Sequence, residues 1–263
     1  MSTSAPEPTE KDCQSSMAPM TRLVVVVPLY MYPVEGAWDP LFEAARAHPE
    51  VAFVAIANPN SGPGKDALPD ASYLAALREM SGIDNIRCLG YGSRALDTVN
   101  QDVDVYRLWN TSPDHAIRVD GIFFDEAPSD PQNVEYMRQA SSHVHETWQS
   151  ELHRPGEVML NPGVVVDREY YDLAEHVVVF EQSEEQWQKY FVTQGLPQVA
   201  SSVRSKAVAI VHSCGTAQDG LGKLVREVKS MGFGGLCLTE QVGGGYSKWP
   251  KQLPHIVALV AEP

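Results

Sequence analysis

Cysteine is scarce and long apolar runs are missing. Of 263 residues only four are cysteine, at positions 13, 88, 214 and 237. None forms a CxxC pair and no Cys/His spacing reads as a zinc site. Cys88, Cys214 and Cys237 each sit in an apolar, strand-like run, where a buried free thiol is expected; a Cys214–Cys237 disulfide is the alternative. The longest apolar strings, such as Leu23 to Leu29, are far too short to span a bilayer. Basic residues are also in short supply: 20 Lys and Arg stand against 34 Asp and Glu, a net charge of −14. That balance argues against a nucleic-acid partner, which needs a basic footprint, and against anionic membranes. It suits a neutral or cationic substrate, or simply keeps the protein soluble.

The first 20 residues, rich in Ser, Pro and Glu, have no apolar core and no basic start, so no secretory leader is expected. They read as a disordered tail, with one folded domain over 21–263. A cytoplasmic location is the simplest expectation, with secretion or a cell-surface location the alternative.

From residue 22 short apolar runs alternate with amphipathic stretches. The runs are 23–30, 51–59, 86–92, 119–126, 158–163, 177–181, 207–213 and 233–240. They are almost continuously apolar, as parallel strands buried on both faces should be. Helical patterns follow most of them. DPLFEAARAH has Asp39 as cap and Pro40 in the first turn; the stretch Lys251 to Val260 predicts a last helix. Eight strands with intervening helices in about 250 residues point to an α/β fold, a (β/α)₈ barrel. An open doubly wound sheet is the runner-up, though no GxGxxG follows the first strand and no Walker A sequence occurs.

A barrel of this kind takes its reacting groups from the C-terminal ends of its strands. Those ends carry Tyr30, Tyr32, Asn58, Tyr91, Asp125, Glu126, Asn161, Glu181, His212 and Glu240. In VDGIFFDE an apolar run leads straight into two acids, although burying an unpaired charge is costly. Neighbours in a regular strand face opposite ways, so both acids reach one cleft only if the backbone bends. Glu126 has the alternative role of capping the next helix. Glu181 ends VVVFE, where a helix N-terminus would also favour an acid. Separated carboxylates over one cavity are what glycoside hydrolysis requires. The same acids would also suit Mg²⁺, so a metal-dependent lyase or aldolase competes. Tyr246 and Trp249, in the last loop, are candidates for a groove wall on which a sugar stacks, whereas Trp109 and Trp187 read as core. His143 and His145 do not share a helix face and read as solvated.

The segments PLYMYP, NPNSGPG, GIFFDE, LNPG and VVVFE occur in this order with strand-like spacing. Together they resemble the spherulin 4-like proteins, classed as glycoside hydrolase family 135, over about residues 22–250. The resemblance implies a (β/α)₈ barrel that cleaves internally in a polysaccharide of galactose, galactosamine and N-acetylgalactosamine. It places catalytic acids at Asp125, Glu126 and Glu181. It also sets the NPNSGPG loop, with Asn58, Asn60 and Ser61, beside the cleft. Tyr30, Asn58, Ser61, Tyr91, Asn161, His212 and Trp249 are the expected substrate contacts. No cofactor and no metal are expected. A catalytically silent carbohydrate-binding or structural barrel is the alternative.

Overall fold

A computed structural model describes residues 23–92, 98–112, 116–193 and 199–262. The expected N-terminal tail, with Cys13, lies outside the described residues. Eight parallel strands close into a barrel in sequence order: β1 (Val24–Leu29), β2 (Phe53–Ala57), β3 (Ile86–Gly92), β4 (Gly121–Phe124), β5 (Glu157–Leu160), β6 (His176–Ser183), β7 (Ala207–His212) and β8 (Gly235–Leu238). The helices are α1 (Asp39–Ala47), α2 (Ala71–Ser81), α3 (Val99–Thr111), α4 (Val134–Leu152), α5 (Arg168–Tyr171), α6 (Glu184–Trp187), α7 (Gln218–Ser230) and α8 (Leu253–Ala261). The expected (β/α)₈ architecture is the one observed.

Strand alternation divides the apolar residues into two cores. The outer one packs the barrel on the helices and includes Val25, Val27, Leu29, Ile122, Phe124, Val158 and Leu160. The inner one fills the barrel with Val26, Val54, Ile56, Leu89, Phe123, Met159, Val178, Val208, Ile210 and Cys237. Strands buried on both faces have no polar side to show, which is why their sequences read as unbroken apolar runs.

The ladder between β1 and β8 is short, pairing Val24 with Gly235 and Val25 with Leu236. Val25 N–H bonds Ala52 on the β2 side and Val24 N–H bonds Gly234 on the β8 side. Even-numbered residues of β1 therefore face β8, and Pro28 falls on that parity with no N–H to give. The last loop covers this seam. Trp249 donates its indole N–H to Ala37 O at 2.7 Å, and Trp38 donates to Met31 O at 3.2 Å.

Several local expectations need correction. Asp39 is the first residue of α1 rather than its cap; Trp38 holds the cap position, and its side chain makes no capping bond to the helix. β5 is followed by the single turn of α5, whereas the turn of α6 runs on as a π-helix over Gln188–Val192; Ser183 caps α6, accepting from Gln186 N–H. Cys214 and Cys237 are both free, buried thiols, so they form no disulfide. His143 and His145 remain partly exposed, but they face Asp104 and Glu175 at 3.1 and 3.4 Å. Trp109 and Trp187 are fully buried, as expected.

Candidate active site

Above the inner core the next inward-facing positions form the floor of the barrel mouth. Two residues beyond Leu89, Phe123 and Met159 lie Tyr91, Asp125 and Asn161. Two irregularities adjust this layer. The first is on β6, where the register with β7 slips between Val178 and Phe180. Val178 belongs to the inner core, and both Val179 and Phe180 to the outer one. Strict alternation would send Phe180 inward and Glu181 out. The extra residue reverses that parity and turns Glu181 to the axis, the re-aiming that a bulge performs.

The second is at the end of β4. Asn161 N–H bonds Phe124 O, and Asn161 O accepts from Ala127 N–H, both at 2.9 Å. A regular parallel ladder would return to residue 126. Asp125 and Glu126 thus share the place of one residue, and Glu126 takes a left-handed φ of 47°. The regular alternation that would send the two acids to opposite faces is thereby broken. Non-glycine residues seldom adopt that φ, and where they do the strain clusters at functional sites.

The carboxylates of Asp125 and Glu181 meet at one amide. Asn161 Nδ2 donates to Asp125 Oδ1 at 2.8 Å and to Glu181 Oε2 at 2.7 Å. Asp125 Oδ1 also accepts from Glu126 N–H at 3.0 Å. The outer oxygens each accept from a phenol: Tyr91 Oη lies 2.8 Å from Asp125 Oδ2, and Tyr246 Oη lies 2.6 Å from Glu181 Oε1. Tyr30 wedges edge-on between those phenols, 5.8 Å from Tyr91 and 5.9 Å from Tyr246 between ring centroids. Burial, reinforced by Asp125, pushes the Tyr30 phenol well above its ordinary value. Burial likewise raises Tyr246, with Cys237 and Glu181 adding to the effect. These two phenols stay protonated, and Tyr246 is a fixed donor to Glu181.

The remaining expected contacts are placed unevenly. Asn58 spends its amide oxygen on Gly62 N–H at 3.2 Å, and its carbonyl accepts from Tyr73 Oη at 3.1 Å. It thereby shapes the NPNSGPG loop, in which Ser61 (φ 49°) is exposed. His212 has inward parity on β7, with Nδ1 2.9 Å from Ser213 Oγ. Trp249 packs on the outer core and braces the seam. Glu126 is exposed at the rim, and Glu240 accepts from Lys251 N–H at 3.1 Å. Tyr246 was expected only as a groove wall, yet it is buried and holds Glu181. Its signal is the GGG at 243–245: Gly243 at φ 73° lets the chain turn back over the mouth. Among the described residues no group of three or more His, Cys, Asp or Glu side chains is arranged to hold a metal ion.

The chain is similar to known proteins across most of its length. It is 33% identical to Spherulin-4 of Physarum polycephalum over 163 residues, 60% of this chain and 44% of that protein. It thus matches less than half the length of that relative. The solved structure of Aspergillus clavatus Sph3 in complex with GalNAc superposes with a TM-score of 0.84 at 32% identity, covering 92% of this chain and 98% of that one. Haloferax volcanii malate synthase, in its magnesium/glyoxylate complex, matches at a TM-score of 0.51 and 9% identity over 92% of this chain and 75% of its own. That likeness is one of fold alone. The family model for spherulation-specific family 4 matches residues 24–260, and the chain belongs to this Spherulin4 family.

Proposed function

We propose that the protein is an endo-acting glycoside hydrolase that cleaves a polysaccharide containing N-acetylgalactosamine and galactosamine. The observation that carries the reading is the Asp125–Asn161–Glu181 bridge at the barrel mouth. Two bonds of 2.8 and 2.7 Å leave one nitrogen, so the bridging oxygens lie within about 5.5 Å of each other, close enough for both acids to act on one glycosidic bond. One acid protonates the departing glycosidic oxygen while the other attacks, or electrostatically supports, the anomeric carbon. Glu126, at the exposed rim beside Asp125, is assigned a supporting contact to substrate from the family resemblance.

The space between the two acids holds an N–H donor rather than another oxygen, which favours sugar chemistry over a metal-dependent lyase. The sugar is inferred from the relative solved with GalNAc, and internal cleavage from the family resemblance. The negative charge of the chain is compatible with a polymer bearing free amino groups.

The test is incubation with such a polymer, reading new reducing ends and chain length. Rapid shortening by wild type is expected. Asp125→Asn, Glu126→Gln and Glu181→Gln should each abolish it while circular dichroism stays unchanged. Wild-type turnover in all three variants would overturn the assignment. Retention of polymer without cleavage would point instead to a silent binding barrel.

A further inference from the structure

Asn161 sits at the centre of the acid pair and is itself buried. Both of its backbone groups are bonded, to Phe124 of β4 and to Ala127 just beyond it, so its side chain leaves the sheet in a fixed direction. An amide NH₂ carries two donors and cannot accept, whereas a phenol hydroxyl does either. The oxygens of Asp125 and Glu181 therefore differ in kind. Asp125 Oδ1 faces the amide and a backbone N–H, and Glu181 Oε2 faces the amide. A proton on either of these oxygens would meet a hydrogen that cannot turn away. The outer oxygens face Tyr91 and Tyr246, whose hydroxyls can rotate to accept. Turning the Asn161 amide over would aim its own oxygen at two carboxylates. Its Oδ1 is buried with no protein partner, a cost native structures rarely tolerate without a reason.

We propose that Asn161 is the positioning residue of the pair, holding the two bridging oxygens as permanent acceptors. It thereby confines any proton the acids carry to Asp125 Oδ2 and Glu181 Oε1. For its rate measurements this rests on the hydrolase reading above; for its ionisation measurements it does not. Other titratable groups facing the pair are Tyr30, Tyr91 and Tyr246, with Cys237 beneath. Burial raises Tyr30, Tyr246 and Cys237, so they stay neutral in acid. Glu126, next to Asp125, and His212, at the end of β7, are common to wild type and variants and cancel in a ratio.

The test is Asn161→Asp, which keeps shape and replaces the donor with a third carboxylate. Carbon-13 NMR of labelled Asp and Glu carboxyls should show Asp125 or Glu181 titrating at least about one pH unit higher than in wild type. With the N-acetylgalactosamine polymer, kcat should fall about 100-fold at pH 7 with KM nearly unchanged. The ratio to wild type should recover about tenfold by pH 5, as the new acid gains a proton to donate. If Asn161→Asp does not fold, Asn161→Ser, which keeps a single donor, should raise one of the same two carboxyls. Unchanged titration of both acids in the folded variant would overturn the proposal. An equal loss of rate at every pH would overturn it too. A wild type that releases no reducing ends would sink the hydrolase reading alone, since the titrations still decide the role of Asn161.

Discussion

Tyr246 and Glu181, 65 residues apart, are joined by a 2.6 Å hydrogen bond across the mouth of the barrel. The donor is a buried phenol held protonated by its surroundings, and the acceptor is one of the proposed reacting acids. A hydrogen bond to a charged group contributes about 1.5–3 kcal/mol, or roughly a 10- to 150-fold change in rate if it acts in the transition state. Tyr246→Phe should lower kcat within that range, with a melting temperature close to wild type. Equal rates for the two proteins would show that the bond has no part in the chemistry.

Asp125 and Glu181 share Asn161 and so act as a unit. Groups that act together give non-additive losses. Asp125→Asn and Glu181→Gln combined should be scarcely slower than the worse single variant, in single-turnover release of reducing ends. A double variant slower by the full product of the two losses would show that the acids work independently.

The architecture was legible because parallel strands buried on both faces leave an unmistakable pattern. The strand-end rule then picked out Asp125, Asn161, Glu181, Tyr30 and Tyr91, which the structure brings together. What it could not show was orientation. Nothing in VVVFE announces a bulge at Val179, yet if these residues alternated regularly Glu181 would face the helices. Nor does FFDE announce that two residues fill one place opposite Asn161. Bulges are set by the packing of neighbouring strands, which no single segment encodes. Asn58, at its strand end, and Trp249, in the last loop, have other duties: one ties its own loop and the other closes the seam. The role of Tyr246 as donor to Glu181 escaped because its position depends on a turn through Gly243 rather than on any strand.

Gly90 gives a prediction about how Tyr91 is seated. A Cβ there would lie 2.6 Å from the ring of Tyr106, whose hydroxyl donates to Tyr91 O at 3.0 Å. Gly90→Ala should cost about 1–3 kcal/mol as an overpacked core site, lowering the melting temperature by several degrees. It should also slow turnover by disturbing the partner of Asp125. A methyl group on Gly220, in the first turn of α7, would meet nothing within 4 Å. Gly220→Ala should therefore stabilise by up to about 1 kcal/mol and leave turnover unchanged. Calorimetry of the two variants in parallel checks both signs.

The opposite end of the barrel has its own titrating group. Burial, assisted by the nearby Asp120, pushes the Glu157 carboxyl from 4.5 up to about 7, and Arg87 at 3.3 Å only partly offsets it. Folding therefore favours the protonated form. The stabilisation that proton supplies is complete below pH 4.5 and fades as pH rises towards 7; above 7 the fold carries the cost of a buried charge. A tenfold change in proton affinity corresponds to about 1.4 kcal/mol, so the cost is on the order of 1–3 kcal/mol. Glu157→Gln removes the titration while keeping size and polarity. Its melting temperature should exceed that of wild type by several degrees above pH 7, and the gap should close by pH 4.5. Burial would raise the nearby Glu175, but hydrogen bonds from His145 and Val158 N–H outweigh it and hold that carboxyl below its ordinary value, so its contribution to stability is lost in the opposite direction, as pH falls. It is present in both proteins and drops out of the difference. A Glu157→Gln variant less stable than wild type at pH 8 would mean that the Arg87 pair, not burial, governs this carboxyl.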